Sequence, residues 1–587
     1  MSRKYTVKVL SPRSAGTASD GDLLADVLRA EGIPLGLYCG GRGICGKCLV
    51  EIVRGEVAPP SETEVEFLRG KKLGPRSRLA CLTRVRGDLT VKVPGGSLLK
   101  DVAVLDTGLE AQVRPDPAVR KLSFDVPAPS LSDPVSALEA LERRLGKRLD
   151  HSAGAAARAA AAPGREGGPI TVTLLDGEEL LDVEPGDTSS RCFGAAVDVG
   201  TSTIAVELID LVSGRRLGRA AAVNAQAPYG ADVVSRITYA GETAGNLERL
   251  TDVLRRQIDG MIGGLARERG VAPGHIFEIV AAGNSAMNHI LLGVPVTTLA
   301  AAPYHAVFAK APSVRAADLG FTVNPRCRVY VAPNLKSFVG GDIAAGTSAL
   351  DLRARPGNTL FIDLGTNGEI VLKKGARTTT SSTAAGPAFE GMTIGCGMLA
   401  IPGAIGAARW EDGLAVRTIG GTPALGVCGT GLVDILAIGL RHGLLSADGR
   451  IREASRTIPV ARGISLTQQD VRRLQLAVAA IRTGVLLMLE EAGISVAGLN
   501  RLFVAGAFGA SLNVRNAMAI GLLPSLDASR VAFVGNASLA GARKLLLSRP
   551  ERGRTEAFAR GVRHISLASC PGFQREFVKS MRFEPYK

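Results

Sequence analysis

Four cysteines near the N-terminus have the type and spacing to do chemistry together. Cys39, Cys45 and Cys48 stand in YCGGRGICGKCLVEI at residues 38–52 as Cys-x5-Cys-x2-Cys, and Cys81 follows after 32 further residues in SRLACLTRV. Thiolates are soft donors, and three ligands from one loop with a fourth returning from far along the chain can hold a [2Fe–2S] cluster. Zinc sites usually draw on two short pairs of ligands, whereas here one ligand is isolated. Gly40, Gly41, Gly43 and Gly46 allow the loop to curl and its N–H groups to point at the sulfides, which tunes the potential. The stretch also nearly spells a phosphate loop, because Gly41, Gly46 and Lys47 fit G-x-x-x-x-G-K. That reading fails at the next position, which needs a Ser or Thr hydroxyl for Mg²⁺ and is Cys48. The segment after it, LVEIV, has the texture of a strand where a phosphate loop needs a helix.

A second chemistry lies far downstream. DVGTST at 198–203 follows the apolar run GAAV, and DLGTNGE at 363–369 follows LFI. Each puts a carboxylate, Asp198 or Asp363, at a strand end. Each then makes a Gly-Thr turn whose N–H and hydroxyl donors suit phosphate oxygens. The candidate phosphate contacts are Gly200, Thr201, Ser202 and Thr203 in the first turn and Gly365, Thr366 and Asn367 in the second. The two aspartates can hold Mg²⁺ through water or orient an attacking water. A third motif, RLFVAGAFGASLN, ends a strand in Gly506, Ala507, Phe508 and Gly509, where backbone can pack against a flat base and ribose. Asp342 in SFVGGDIAAG is a candidate second acid, with a helix N-cap as the rival role.

These residues need elements to hold them. Residues 1–94 read as a small α+β domain. KYTVKVL alternates as a strand, DLLADVLRAEG has helical spacing at Leu24, Val27 and Leu28, CLVEIV is a second strand, and SETEVEFLRG opens with a capping box of Ser61 and Glu64. Residues 95–112 form a linker. Residues 113–192 form a middle domain, with a helix start at Asp133-Pro134 and a hairpin around Asp176-Gly177. Its Ala-rich stretch 153–162 suits either a helix or a loose linker, and of the two readings a mobile surface insertion is preferred. From 193 to 587 short apolar strands alternate with helices, and the strand–turn–strand unit recurs after about 165 residues, which predicts a duplicated, two-lobed α/β fold. LQLAVAAIRTGVLLMLEEAG, interrupted by Arg482, reads as a core helix.

The bulk numbers agree. A chain of 587 residues, 46% hydrophobic and 21% charged, can bury several cores. Its charge of +15 fits a soluble basic protein, with electrostatic attraction to an acidic partner as the sharper alternative. No basic block interleaved with aromatics points to nucleic acid, and no run of about 18 apolar residues points to a membrane span. The N-terminus has no apolar signal segment, and nine cysteines, four grouped and five scattered, make no disulfide framework. A reducing cytoplasm is the expected location. His289 and His305 are expected in the core or a polar network, and Cys396 as a small buried residue.

Three resemblances follow from these motifs. The first 95 or so residues resemble the [2Fe–2S] ferredoxins, the x5 gap being similar to the adrenodoxin-like subgroup; this implies a β-grasp fold and one-electron transfer. The three glycine turns, in their chain order, resemble the phosphate-1, phosphate-2 and adenosine segments of the actin, hexokinase and Hsp70 ATPases, and GVCGTGLVDILAIGL at 426–440 is similar to the second connecting helix of that fold. End to end, through AAGNSAMNHILLG, AAGPAFEGMTIGCGMLAIPGAIG, VAGAFGASLNVRNAMAIGLLP and VGNASLAGARKLL, the chain resembles the reductive activators of corrinoid proteins. That resemblance implies ATP, Mg²⁺ and a cluster held by Cys39, Cys45, Cys48 and Cys81. It implies a homodimer, a low-potential electron donor, and a corrinoid methyltransferase partner whose inactive Co(II) is returned to Co(I). Val478 stands where the family tends to have Lys. The alternatives are an ATP-dependent electron donor to another metalloenzyme and a non-catalytic, ATP-binding redox sensor.

Overall fold

The computed structural model describes residues 3–586 except 12, 32, 34, 36–42, 44, 45, 47, 71, 72, 98–112, 129, 130, 132–134, 163–166, 231, 392 and 507–511. The N-terminal sheet runs Arg13–Ser19, Lys4–Leu10, Leu89–Lys92, Leu49–Arg54, Ser77–Leu79, with its first and last strands in sequence, Lys4–Leu10 and Leu89–Lys92, parallel. Lys4–Leu10 alternates as its sequence predicts, turning Val7 and Val9 inward onto Leu24, Val27 and Leu28 of helix Leu24–Ala30. This is a β-grasp domain. Helix Glu62–Gly70 is capped by Ser61, whose hydroxyl accepts from the Glu64 N–H at 3.3 Å. The capping box is only half made. The Glu64 carboxylate, fully buried, accepts instead from the Arg78 guanidinium at 2.9 and 3.0 Å and from the Leu79 N–H at 2.7 Å. A bidentate charged donor in a dry site outcompetes the cap N–H.

The small middle sheet runs Val119–Val126, Gly168–Leu175, Glu179–Pro185, Asp150–His151. Its hairpin turns at Asp176 (φ 52°) and Gly177 (φ 81°), as a two-residue turn with both φ positive requires. The helix start expected at Asp133-Pro134 lies outside the described residues; helix Ala137–Leu145 begins after Ser136, its N-cap. The Ala-rich stretch corrects an expectation. Residues Ala153–Ala161 are a packed helix capped by Ser152, with Ala155 and Ala159 buried and Arg158 bonded to Asp182 and the Leu181 carbonyl. Alanine lets this helix lie close to strand Glu179–Pro185, so its smallness serves packing.

The remainder forms two lobes with matching sheets. The first runs Arg216–Val223, Thr203–Asp210, Phe193–Val199, Ile276–Gly283, Arg328–Val331, Ser313–Arg315. The second runs Val531–Gly535, Arg501–Gly506, Thr359–Leu364, Gly368–Lys374, Arg377–Thr383, Arg563–His564. In each, an antiparallel meander supplies three strands and parallel strands extend the sheet from the meander's first strand. The two-lobed actin-like fold follows from that repeat. Helices Gly341–Ala349 and Ala537–Leu547, one after each lobe's parallel strands, pack on each other so closely that a Cβ on Gly541 would lie 2.0 Å from the Ala345 carbonyl oxygen.

Helix Gln468–Ala492 is a core helix of the second lobe. Val478 is fully buried in it, and Arg482 donates to the carbonyls of Arg582, Glu584 and Pro585. His289 is buried, its two ring nitrogens bonded to the Ser285 carbonyl and the Val307 N–H; His305 is exposed rather than in the core. Cys396, expected buried, is partly exposed on the turn leading into Gly397. Among the described residues no helix is long and apolar enough to cross a membrane.

Candidate cluster loop and nucleotide cleft

Cys48 and Cys81 are brought together by strand register. Leu49 pairs with Leu79 across the antiparallel strands, and the Ala80 N–H donates to the Cys48 carbonyl at 3.0 Å. Both side chains are buried and their sulfurs are 3.3 Å apart, well beyond a disulfide bond. Two thiolates on one tetrahedral metal with bonds of about 2.3 Å sit at roughly 3.8 Å, so this pair is close enough to share one metal. Gly46 between the ligands has φ 68°, and a Cβ there would lie 2.0 Å from the Phe67 ring; only glycine serves. Cys39 and Cys45 lie outside the described residues. The two described thiols, buried and within reach of one metal, fit a cluster site, and the strand that brings Cys81 there is tied through Leu79 to Glu64.

The second site is a cleft of about 240 Å³ between the lobes, lined by Asp198, Gly200, Thr201, Ser202 and Thr203 from one and by Asp363, Gly365, Thr366, Asn367 and Gly506 from the other. The two turns predicted from sequence face each other here. The Ser202 and Thr366 hydroxyls are 2.9 Å apart although 164 positions separate them. Gly506 (φ 106°) sits opposite Leu364 in the parallel pairing, where a Cβ would lie 2.2 Å from the Leu364 carbonyl oxygen. Ala507, Phe508 and Gly509 fall outside the described residues. Asp342 also lines the cleft. Gly340 holds the N-cap position of its helix, while Asp342 sits in the first turn and accepts from the Ile343 N–H at 2.8 Å.

Electrostatically the cleft is dominated by acids. Burial, with Asp342, Asp198 and Glu390 nearby, pushes Asp363 up to about 8. Burial, with the Asp198 charge adding to it, pushes Asp342 up to about 7. Asp198 is raised by burial, restrained by the Ser538 hydroxyl and the Asn536 amide, each 2.7 Å from one of its oxygens. Glu369, directly opposite Asp363 in the hairpin, is held well above its ordinary value by burial and by Asp342 and Asp363. The charged forms of these groups call for a cation. Among the described residues no three His, Cys, Asp or Glu side chains are arranged to clasp a bare ion. A hard cation that keeps its waters and leans on phosphate oxygens, as Mg²⁺ does, suits such an open set of acids.

Sequence reasoning missed Glu390, Asn284, Asn536, Ser538 and Arg219, all of which line the cleft, and gave no role to Glu369. Asn536 and Ser538 follow strand Val531–Gly535 in the same strand-end manner as the predicted turns, which is a signal the sequence did offer. Glu390 offered none, standing in a glycine-rich stretch with no periodicity.

Comparison with known proteins agrees with this architecture. Residues 11–86 match the 2Fe-2S iron-sulfur cluster binding domain, 108–190 the RACo linker region, 193–355 the RACo middle region and 357–587 the C-terminal ASKHA domain of RACo. The chain is 31% identical to the corrinoid activation enzyme RamQ of Eubacterium limosum over 96% of its own length and 97% of that protein. It is 27% identical to the [Co(II) methylated amine-specific corrinoid protein] reductase of Methanosarcina barkeri, over 67% of this chain and 77% of that one. The solved structure of a reductive activator for corrinoid,iron-sulfur protein superposes with a TM-score of 0.75 at 33% identity, covering 99% of this chain and 98% of that one. With its ferredoxin domain, linker, middle region and actin-like lobes all matched in order, the chain belongs to the RACo family of reductive activators.

Proposed function

We propose that this protein uses MgATP to drive one electron from a [2Fe–2S] cluster to the Co(II) centre of a corrinoid protein in a methyltransferase system, restoring Co(I). The observation that carries the reading is the meeting of the two glycine turns, Ser202 against Thr366, in an acid-lined cleft of a chain that also holds a buried thiol pair. The sequences and folds of the corrinoid activators support it.

In this reading Cys48 and Cys81, with Cys39 and Cys45, hold the cluster within residues 1–94. When bound, the cluster supplies single electrons at low potential. Gly200, Thr201, Ser202, Thr203, Gly365, Thr366 and Asn367 bind phosphates through N–H and hydroxyl donors, and Gly506 with Ala507, Phe508 and Gly509 packs against the adenosine. Both oxygens of Asp198 already accept hydrogen bonds, so Asp198 acts as a fixed acceptor for the ion's waters. Asp363 and Asp342 have oxygens facing the cleft and orient the attacking water. Mg²⁺ would neutralise this acid group and return the carboxylates to their charged forms. One electron moved uphill costs a factor of ten in equilibrium per about 59 mV, so nucleotide-driven changes of a few kcal/mol offset a gap of a hundred millivolts or more. The reading includes a homodimer, a separate low-potential donor, and a division into 1–94, 95–112, 113–192 and 193–587.

The test mixes the purified protein, a chemical reductant, MgATP and a Co(II) corrinoid protein and follows Co(I) absorbance. Co(I) is expected to appear with MgATP and to fail without it. Equal yields with and without nucleotide, or no Co(I) at all, would overturn the reading.

A further inference from the structure

Glu390 occupies a place in the cleft where an anion meets both lobes. One carboxylate oxygen, Oε2, accepts from the Ser202 hydroxyl at 2.7 Å and from the Thr366 hydroxyl at 3.0 Å. These are the two hydroxyls, one from each glycine turn, that the nucleotide reading assigns to phosphate. All three side chains are buried: Glu390 is 9% exposed, Ser202 7% and Thr366 5%. A carboxylate and a phosphate oxygen make the same demand on a hydroxyl donor, and two anions cannot share the same pair of donors. A phosphate arriving at Ser202 and Thr366 must therefore displace Glu390.

A displaced carboxylate needs a new partner, and the first lobe holds one. Arg236, on helix Val233–Glu242, is 1% exposed. Its Nε donates to the Gly230 carbonyl at 3.0 Å and its Nη1 to Gln226 at 3.1 Å, but its buried Nη2 has no acceptor among the described residues. A fully buried guanidinium with an open N–H is costly unless an anion is available to it. Burial raises the Glu390 carboxyl, and the Ser202 and Thr366 hydroxyls and then the Arg236 charge favour its ionised form; Glu390 in turn favours the charged form of Arg236, which burial opposes.

We propose that Glu390 stands in for a phosphate when no nucleotide is bound, latching the two turns together, and that nucleotide phosphate transfers it to Arg236. Glu390 is thus a positioning residue that converts phosphate binding into movement of its own segment. Eight residues on, the Met398 N–H donates to the Val427 carbonyl in the sheet Leu414–Thr418, Ala404–Trp410, Gly426–Val427 of the second lobe.

This inference rests on the nucleotide reading of the cleft, and calorimetric titration of the full chain with MgATP and with adenosine separates the two. Glu390→Gln keeps the side chain's size and removes the charge that competes with phosphate. It is expected to bind MgATP tighter by about tenfold, the scale of one charge-assisted hydrogen bond, and adenosine unchanged; a merely structural glutamate would weaken both. Arg236→Lys is expected to weaken MgATP in the wild-type background and to have little further effect in the Glu390→Gln background. If that buried variant does not fold, as judged by its thermal transition, Glu390→Gln and Glu390→Ala still decide. Wild-type protein that binds MgATP while Glu390→Gln binds it equally or more weakly overturns the latch alone. Wild-type protein that binds no MgATP overturns the nucleotide reading and the latch with it.

Discussion

Holding carboxylates side by side away from water is expensive: Glu369 is buried, Asp342 and Asp363 are half-buried beside it, and all three are held above their ordinary values. That cost has a sign that can be measured. In the fold Asp342 and Asp363 keep their protons up to about 7 and about 8, whereas in the unfolded chain they release them near 3.8. Between those values the unfolded state holds fewer of these protons than the folded state, so the contribution of these two groups to stability is fully present below about pH 4 and is lost as pH rises to about 8. The melting temperature of the Mg²⁺-free protein is expected to decline over that window. Asp363→Asn should flatten the decline and raise the melting temperature at pH 8, because it removes one of the opposed charges. The same variant should lower ATP hydrolysis by about 10²-fold or more, the usual scale for losing a group that handles the attacking water. A variant with a lower melting temperature at pH 8 and undiminished hydrolysis would remove Asp363 from both roles. Asp198 and Asp363 were legible in the sequence because each closes an apolar strand with a Gly-Thr turn, a local pattern. Glu390 was not, because it reaches Ser202 across 188 positions, and no local pattern encodes such a contact.

At the scale of elements, Glu64 links a helix to a strand and thereby to the cluster loop. Its carboxylate ties helix Glu62–Gly70 to Arg78 and Leu79, two residues before Cys81. Removing one partner of a buried ion pair leaves the other charge unpaired and costs roughly 3–5 kcal/mol. Glu64→Ala is expected to lower the denaturant midpoint for loss of cluster absorbance, the unfolding free energy read from it falling by that amount, while leaving the MgATP affinity of the lobes unchanged. The double variant Glu64→Ala, Arg78→Leu should recover part of the loss, since no charge is then stranded. An unaltered midpoint in Glu64→Ala would show that the ion pair does not position Cys81. The sequence marked Glu64 as a cap because Ser-x-x-Glu is a local signature; the buried arginine that captures it lies 14 positions on and is visible only once the sheet has formed. The Ala-rich helix Ala153–Ala161 was misread for a related reason. Alanine has no apolar face to reveal periodicity, so burial of Ala155 and Ala159 follows from the neighbouring strand and not from the stretch itself. The two glycine-turn hairpins, by contrast, carry apolar strand, acid and turn within about ten residues, and both the turns and the lobe repeat could be read from sequence.

For the whole molecule, the question is how the cluster domain and the cleft work as one machine. Among the described residues no sheet pairing joins residues 3–97 to the remainder, and the chain between them passes through the fifteen residues 98–112. Fifteen residues reach at most about 50 Å, which confines the cluster domain near the lobes at an effective concentration on the order of millimolar. A protease site placed within 98–112 and cut after folding abolishes that confinement and changes no residue of either site. ATP hydrolysis and cluster absorbance are expected to persist after cutting. The rate of ATP-dependent Co(I) formation at about micromolar protein should fall by two orders of magnitude or more, because encounter becomes bimolecular, and should rise linearly when both pieces are concentrated. The net charge of +15 adds a second signature: if an acidic partner is steered by the field of the whole chain, the rate should also fall as ionic strength rises through the range where the Debye length drops below about 10 Å. A cut protein that retains the full rate at micromolar concentration would mean that the cluster domain is held by its surface, and the tether would then have no part in coupling ATP to the electron.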